Sequence, residues 1–205
     1  MVVEEVRHQA AIAGRVTDVQ TGRTVAGAVV AVTAGPAAFA DALGLAEISF
    51  GPAWASMAER LDRTLTHADG HFHFLDLPDG QYTLVASLPD WGSRYATAQA
   101  NVVVARGADG RVSLALTDLA LPATAIAGQV TATDSTPVVL AAVSVQGSGE
   151  RVYSDGQGRY RLVGLEAGTR TLVVSAQGFQ SATQAVQLAQ AGAVQTVNVA
   201  LTRAT

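Results

Sequence analysis

The stretch His67 to Ala86, HADGHFHFLDLPDGQYTLVA, decides the fold. It reads as a turn, a strand of alternating aromatics, a second turn and another strand. Phe72 and Phe74 are two residues apart, which puts them on one face of a strand, and Leu77, Tyr82 and Leu84 continue the apolar set beyond the turn. Asp155 to Val174, DGQGRYRLVGLEAGTRTLVV, has the same grammar. Gly70 answers to Gly158, Phe72 to Tyr160, Phe74 to Leu162, Leu77 to Leu165, Gly80 to Gly168 and Leu84 to Leu172, each 88 positions on. A match in this order is one folded unit used twice.

Outward from this hairpin, residues 10 to 18 (AAIAGRVTD) and 25 to 33 (VAGAVVAVT) read as strands separated by a turn at Gly22. Gln81 to Leu88 and Ala96 to Ala105 follow as strands around a PDWGSR loop, and Val112 to Leu121 completes the unit. The opening then returns: Ile12-Ala13-Gly14-Arg15-Val16-Thr17 is matched by Ile126-Ala127-Gly128-Gln129-Val130-Thr131 at an offset of 114. Set against 88, that offset leaves 26 extra residues in the first copy. Short strands and regular turns predict an all-β chain of paired antiparallel sheets. The domains expected are 1–121 and 122–205. Their junction at Leu121-Pro122-Ala123 is short enough to predict a stiff pair.

At these residues the chain resembles the carboxypeptidase regulatory-like domain. The resemblance is carried by I-x-G-x-V-x-D, a Val-rich strand after Gly27, D-x-x-G-x-F/Y-x-L, L-x-x-G and y-t-L-x-V. Asp155 to Leu162 fits the turn motif closely, whereas His67 stands in the first copy where the Asp is expected. Leu140-Ala141-Ala142-Val143 lacks the glycine that precedes Ala28. The resemblance implies two tandem prealbumin-like (transthyretin-like) antiparallel β-sandwiches of accessory rather than catalytic character, with no cofactor.

Composition narrows the chemistry. A net charge of −4 gives no electrostatic reason to bind nucleic acid. Cysteine is absent, and all 13 basic residues are arginine, which removes Schiff-base chemistry, a phosphate-loop lysine and lysine isopeptide cross-links. No apolar run approaches the ~20 residues of a transmembrane helix. The acidic opening MVVEEVRHQA lacks the marks of a secretory leader. The expectation is a protein of the cytoplasm or of an assembly built there, or of the cell surface if a leader is removed.

The extra residues fall around 35–62, where the strand alternation is interrupted. Phe39, Leu43 and Phe50 fall on one helical stripe with Ala46 between them, and Trp54, Met57, Ala58 and Leu61 follow i, i+3, i+4, i+7 after Gly51-Pro52. Two short helices are predicted. They either pack over an open end of the first sandwich or present Phe39, Leu43, Phe50, Trp54, Met57 and Leu61 to a protein partner or a second copy.

Three further groups bear on chemistry. His71 and His73 share the face of their strand opposite the Phe pair, with His67 and Asp69 near; they are weak metal candidates, since the second copy has Arg159 and Arg161 there. The acids Asp69, Asp79, Asp109 and Asp155 sit beside glycine or in turns, where a carboxylate accepts from its own backbone more often than it binds calcium. Trp91, Arg94 and Tyr95 either plug the end of a sandwich or bind a carbohydrate. No nucleophile elbow, H-E-x-x-H or phosphate loop occurs, so no enzyme is expected. The function expected is structural: a two-domain module that docks into or polymerises within a surface filament or a phage-tail-like contractile machine. The alternative is a carbohydrate-binding accessory module.

Overall fold

Alternating apolar residues build strands throughout the computed structural model, which describes residues 8–204. The first unit contains β1 (Ala10–Asp18), β2 (Val29–Ala34), α1 (Ala37–Phe50), β3 (Arg63–Leu65), β4 (His71–Leu75), β5 (Gly80–Ser87), β6 (Ala98–Arg106), β7 (Val112–Ser113), β8 (Ala115–Leu116) and β9 (Leu119–Leu121). One sheet has the order β4-β1-β8, with β9 also on β1; the other runs β3-β2-β5-β6-β7.

The second unit repeats this plan, among the described residues, without the helix or a counterpart of β7. It holds β10 (Ala125–Ala132), β11 (Ala142–Val145), β12 (Arg151–Tyr153), β13 (Arg159–Val163), β14 (Gly168–Ser175), β15 (Ala182–Leu188), β16 (Val194–Thr196) and β17 (Val199–Leu201). Its sheets are β13-β10-β16, with β17 on β10, and β12-β11-β14-β15. By compactness it also takes in Asp90–Ala96, a segment that lies within the first repeat in sequence.

Each unit is an antiparallel sandwich closed by two short strands that run parallel to the first one. Val112 to Leu121, which completes the unit, holds three short strands. It changes sheets midway: β7 pairs with β6, whereas β8 and β9 pair with β1. That crossing accounts for the glycine of the opening motif. Thr117 donates its backbone N–H to Ala13, and a Cβ on Gly14 would stand 1.6 Å from the Thr117 carbonyl oxygen. Val197 crosses Gly128 the same way, with 1.7 Å for the imagined Cβ.

The aromatic alternation holds. Phe72 and Phe74 are buried on β4 and touch edge to face with centroids 6.3 Å apart, while His71 and His73 face out. On β13, Tyr160 and Leu162 are buried and Arg159 and Arg161 exposed. Burying side chains of this size contributes about 1.5–3 kcal/mol each. The Tyr160 hydroxyl donates to the Val197 carbonyl at 2.7 Å, and burial pushes its pKa up to about 12.

A second matched device is polar. The buried Thr66 hydroxyl accepts from the Ala28 N–H (2.8 Å) and donates to the Val25 carbonyl (2.7 Å). Ser154, 88 positions later, does the same with Ala141 (2.9 Å) and Val138 (2.6 Å). Each hydroxyl satisfies one donor and one acceptor that burial would otherwise strand.

Candidate functional site

The insertion of the first unit is one α-helix followed by a 3-10 turn, not two helices. Alanine-rich sequence favours α1, and the Pro36 carbonyl accepts from the Phe39 and Ala40 N–H groups at its start. Gly51, with φ 54°, ends it, and Pro52 enters the 3-10 segment Gly51–Ser56. The helical spacing of Trp54, Met57, Ala58 and Leu61 does not produce a helix. Met57 is extended, and the chain then turns at Arg60 to Arg63, whose backbone groups pair with each other at 2.7 and 3.3 Å. Asp62 gives its carbonyl to the Val32 N–H (2.8 Å), which ties this segment to β2.

Phe39 and Trp54 are buried, so neither stands ready for a partner. Phe39 packs edge-on against Tyr82 at 5.4 Å. Trp54 lies beneath the Arg60 guanidinium, 4.8 Å from the ring centroid, and stacks on Phe50 at 5.9 Å. Arg60 is held in turn by both Asp62 carboxylate oxygens at 2.8 Å. Leu43, Ala46, Met57 and Leu61 are half-buried. The stripe that continues Phe39 along α1 therefore faces inward as far as Ala46. Phe50 leaves it, with 52% of its surface exposed.

Sequence reasoning missed the other face of α1. Leu45 and Ile48 are 68% and 80% exposed and lie three residues apart, on one side of the helix. The available signal was that they fall off an already apolar stripe: a helix apolar on more than one face calls for a second covering surface.

In the loop before β6, Trp91 is 51% exposed and meets Tyr95 edge to face at 6.0 Å. Arg94 is engaged rather than presented. Its guanidinium donates to Glu150 (2.7 Å), to Glu166 (3.1 Å) and to the Gly164 carbonyl (2.9 Å). The Ser93 hydroxyl also donates to Glu166 at 2.7 Å. Hydrogen bonds from Ser93 to Glu166 and from Ser148 to Glu150, assisted by Arg94, hold both carboxyls below the usual glutamate range against a modest burial penalty.

His71 and His73 are exposed on β4. His73 stacks on His67 at 5.9 Å, and His71 Nδ1 lies 3.1 Å from Asp69. Among the described residues no group of three His, Asp or Glu is placed to hold a metal ion. The turn acids work locally: Asp69 accepts from the His71 N–H, Asp109 from Arg111 and Asp155 from Gln157 and Arg159. Asp79 instead pairs with Arg106 at 2.7 Å. No helix of the described residues is long and apolar enough to cross a membrane.

Residues 11–117 and 125–202 each match the carboxypeptidase regulatory-like domain. No curated protein matches the chain. Among solved structures, the shaft pilin SpaA from Lactobacillus rhamnosus GG is 12% identical with a TM-score of 0.45, covering 97% of this chain and 99% of that one. A Streptococcal ancillary pilin is 15% identical with a TM-score of 0.36, over 98% of this chain and 64% of its own. The Bacillus anthracis TIE protein is 12% identical with a TM-score of 0.40; 95% of this chain is covered but 34% of that one, so this chain spans about a third of it. All three TM-scores are under 0.5, and the family match alone carries the assignment.

Proposed function

We propose a function from one premise: the chain belongs to the carboxypeptidase regulatory-like domain family, once in each half. The function is structural and non-catalytic. The chain is a two-sandwich module that docks into or polymerises within a larger assembly, of which a surface filament and a contractile tail-like machine are the two kinds proposed. The insertion 35–62 supplies the docking surface. The observation that carries this reading is the exposed side of α1, where Leu45, Ile48 and Phe50 stand in solvent on an element without a counterpart among the described residues of the second unit. An apolar face of this kind, beside the exposed acids Asp41 and Glu47, is the anatomy of an interface core with a polar rim.

Light scattering on the full chain tests it, with Leu45, Ile48 and Phe50 replaced together by serine. Assembly beyond a dimer is expected for the native protein and lost in the triple variant. A native protein that never exceeds a dimer, and whose α1 amides show no concentration-dependent protection from hydrogen exchange, overturns the reading.

Carbohydrate binding is the second reading, favoured by the exposure of Trp91 with Tyr95 beside it. Arg94 then serves as the brace of that loop, because three of its five N–H donors are already given to Glu150, Glu166 and the Gly164 carbonyl.

A further inference from the structure

β15 pairs with β14 along its whole length, from Ala182 to Leu188, and no strand of the described residues lies on its other side. Such an edge carries a row of backbone donors and acceptors open to another chain, and folded proteins normally blunt it with charge, proline, a bulge, brevity or cover. The other outer strands of this molecule show those devices. β3 and β12 are three residues long and carry Arg63 and Arg151. β4 displays His71 and His73, and β13 displays Arg159 and Arg161. β6, the counterpart of β15, is covered at its end by β7 and finishes in Arg106, which is ion-paired with Asp79.

β15 has none of them. Its seven residues, ATQAVQL, contain no charge and no proline, and the register with β14 is unbroken. It lies inside a run from Thr171 to Thr202 without one charged residue. Val186 and Leu188 are buried and anchor the strand, while Thr183, Gln184, Ala185 and Gln187 are exposed.

We propose that β15 is an interaction edge whose occupant is β15 of a second copy, running antiparallel and joining the two four-stranded sheets into one. Neutrality is what selects a second copy. An isologous contact sets each residue against its own element, so a charged edge repels itself and a neutral one does not. Full overlap centres on Ala185 and sets Thr183 opposite Gln187 and Ala182 opposite Leu188. The outward row then consists of a hydroxyl, a methyl and an amide, which pack or hydrogen-bond across the join without leaving a charge unpaired. This surface belongs to the second unit and does not depend on the docking reading of the insertion.

Sedimentation equilibrium of the full chain over a concentration series tests it, with Ala185→Lys and Ala185→Glu as the two variants. Ala185 is exposed, and circular dichroism verifies that each variant keeps its strands. The edge pairing is expected to carry the chain with concentration toward twice its 21.0 kDa mass, read directly in the chain with serine at Leu45, Ile48 and Phe50, where the insertion adds no larger species. Each variant alone is expected to dimerise roughly tenfold or more weakly, because like charges then meet at the centre of the contact. An equimolar mixture of the two is expected to regain dimerisation, since lysine now faces glutamate. A native chain that stays monomeric, variants that dimerise like the native chain, or a mixture that fails to re-associate each overturns the proposal. A native chain that stays monomeric leaves the edge to a different occupant, such as an extended segment of another protein, whereas failure of the mixture alone means that Ala185 does not face its own copy. Serine at Leu45, Ile48 and Phe50 leaves these outcomes unchanged, so the two readings fail separately.

Discussion

Gly27 and Leu140 stand at the same turn of the two sandwiches, each just before an alanine whose N–H is taken by a buried hydroxyl. Both have positive φ, 70° at Gly27 and 56° at Leu140. Only glycine adopts that conformation without a Cβ clash, yet the second unit places there a leucine that is 72% exposed. A few residues further on the units part again. After β2 the first unit launches α1, with its apolar outer face. After β11 the second unit turns directly through Gln146 to Glu150 and aims the Glu150 carboxylate at Arg94. The hydroxyl clasp, the crossed glycine and the aromatic alternation are common property. The connection between the second and third strands is where the copies differ most in structure.

The sharpest way to break the shared part is Gly128→Ala, with Gly14→Ala as its twin. A methyl group 1.7 or 1.6 Å from a backbone carbonyl oxygen cannot be accommodated unless the closing strands move. Each substitution is expected to cost about 3 kcal/mol or more, the upper end of the overpacking range. Thermal unfolding is expected to show each transition depressed in the unit that carries the change. An unchanged melt for either variant would mean that the crossing is not fixed there.

Leu140→Gly sharpens the contrast in the opposite direction. It removes a left-handed penalty of roughly 1–2 kcal/mol, partly offset by the greater freedom of glycine in the unfolded chain. A net gain of a few tenths to about 1 kcal/mol is expected in denaturant titration, and Gly27→Leu should lose a similar amount. Equal stabilities for the native chain and the Leu140→Gly variant would show that exposed contacts of the leucine offset its strain.

The smallest effect belongs to the carboxylates that the second unit alone possesses. Glu150 and Glu166 are depressed below the ordinary value of 4.5, so their contribution is complete above that value and fades as pH falls through the lowered folded values. Both are partly exposed, and the effect is local to the loop rather than global. Trp91 emission is expected to change below about pH 4. Glu166→Gln should weaken that change, whereas a titration identical to the native one would dissociate Trp91 from the network.

The sandwich plan was legible because its evidence is periodic and doubled: Phe72 and Phe74 alternate on a strand, and Tyr160 and Leu162 repeat them. Less of the candidate site could be read. Trp54 to Leu61 has helical spacing over only eight residues. Pairing of Asp62 with Val32 is a long-range fact that, with the local turn of Arg60 on Arg63, outweighs so short a pattern. Phe39 and Trp54 drew notice as the conspicuous aromatics, but large rings tend to be claimed by the interior, leaving Leu45 and Ile48 outside. The Arg94 network was hidden for another reason: its partners lie 56 and 72 residues away, and no local motif announces a salt bridge.

The second unit is assembled from two separate stretches of chain, Asp90–Ala96 and the residues from Pro122 onward. Ser93 is its clasp: the hydroxyl serves Glu166 and the Ala167 N–H, while the carbonyl accepts from Thr124. A ribosome delivers that clasp long before the rest of the unit exists. The second sandwich can thus be completed only around a piece already in place, and a gene cut at the repeat boundary separates a lock from its key.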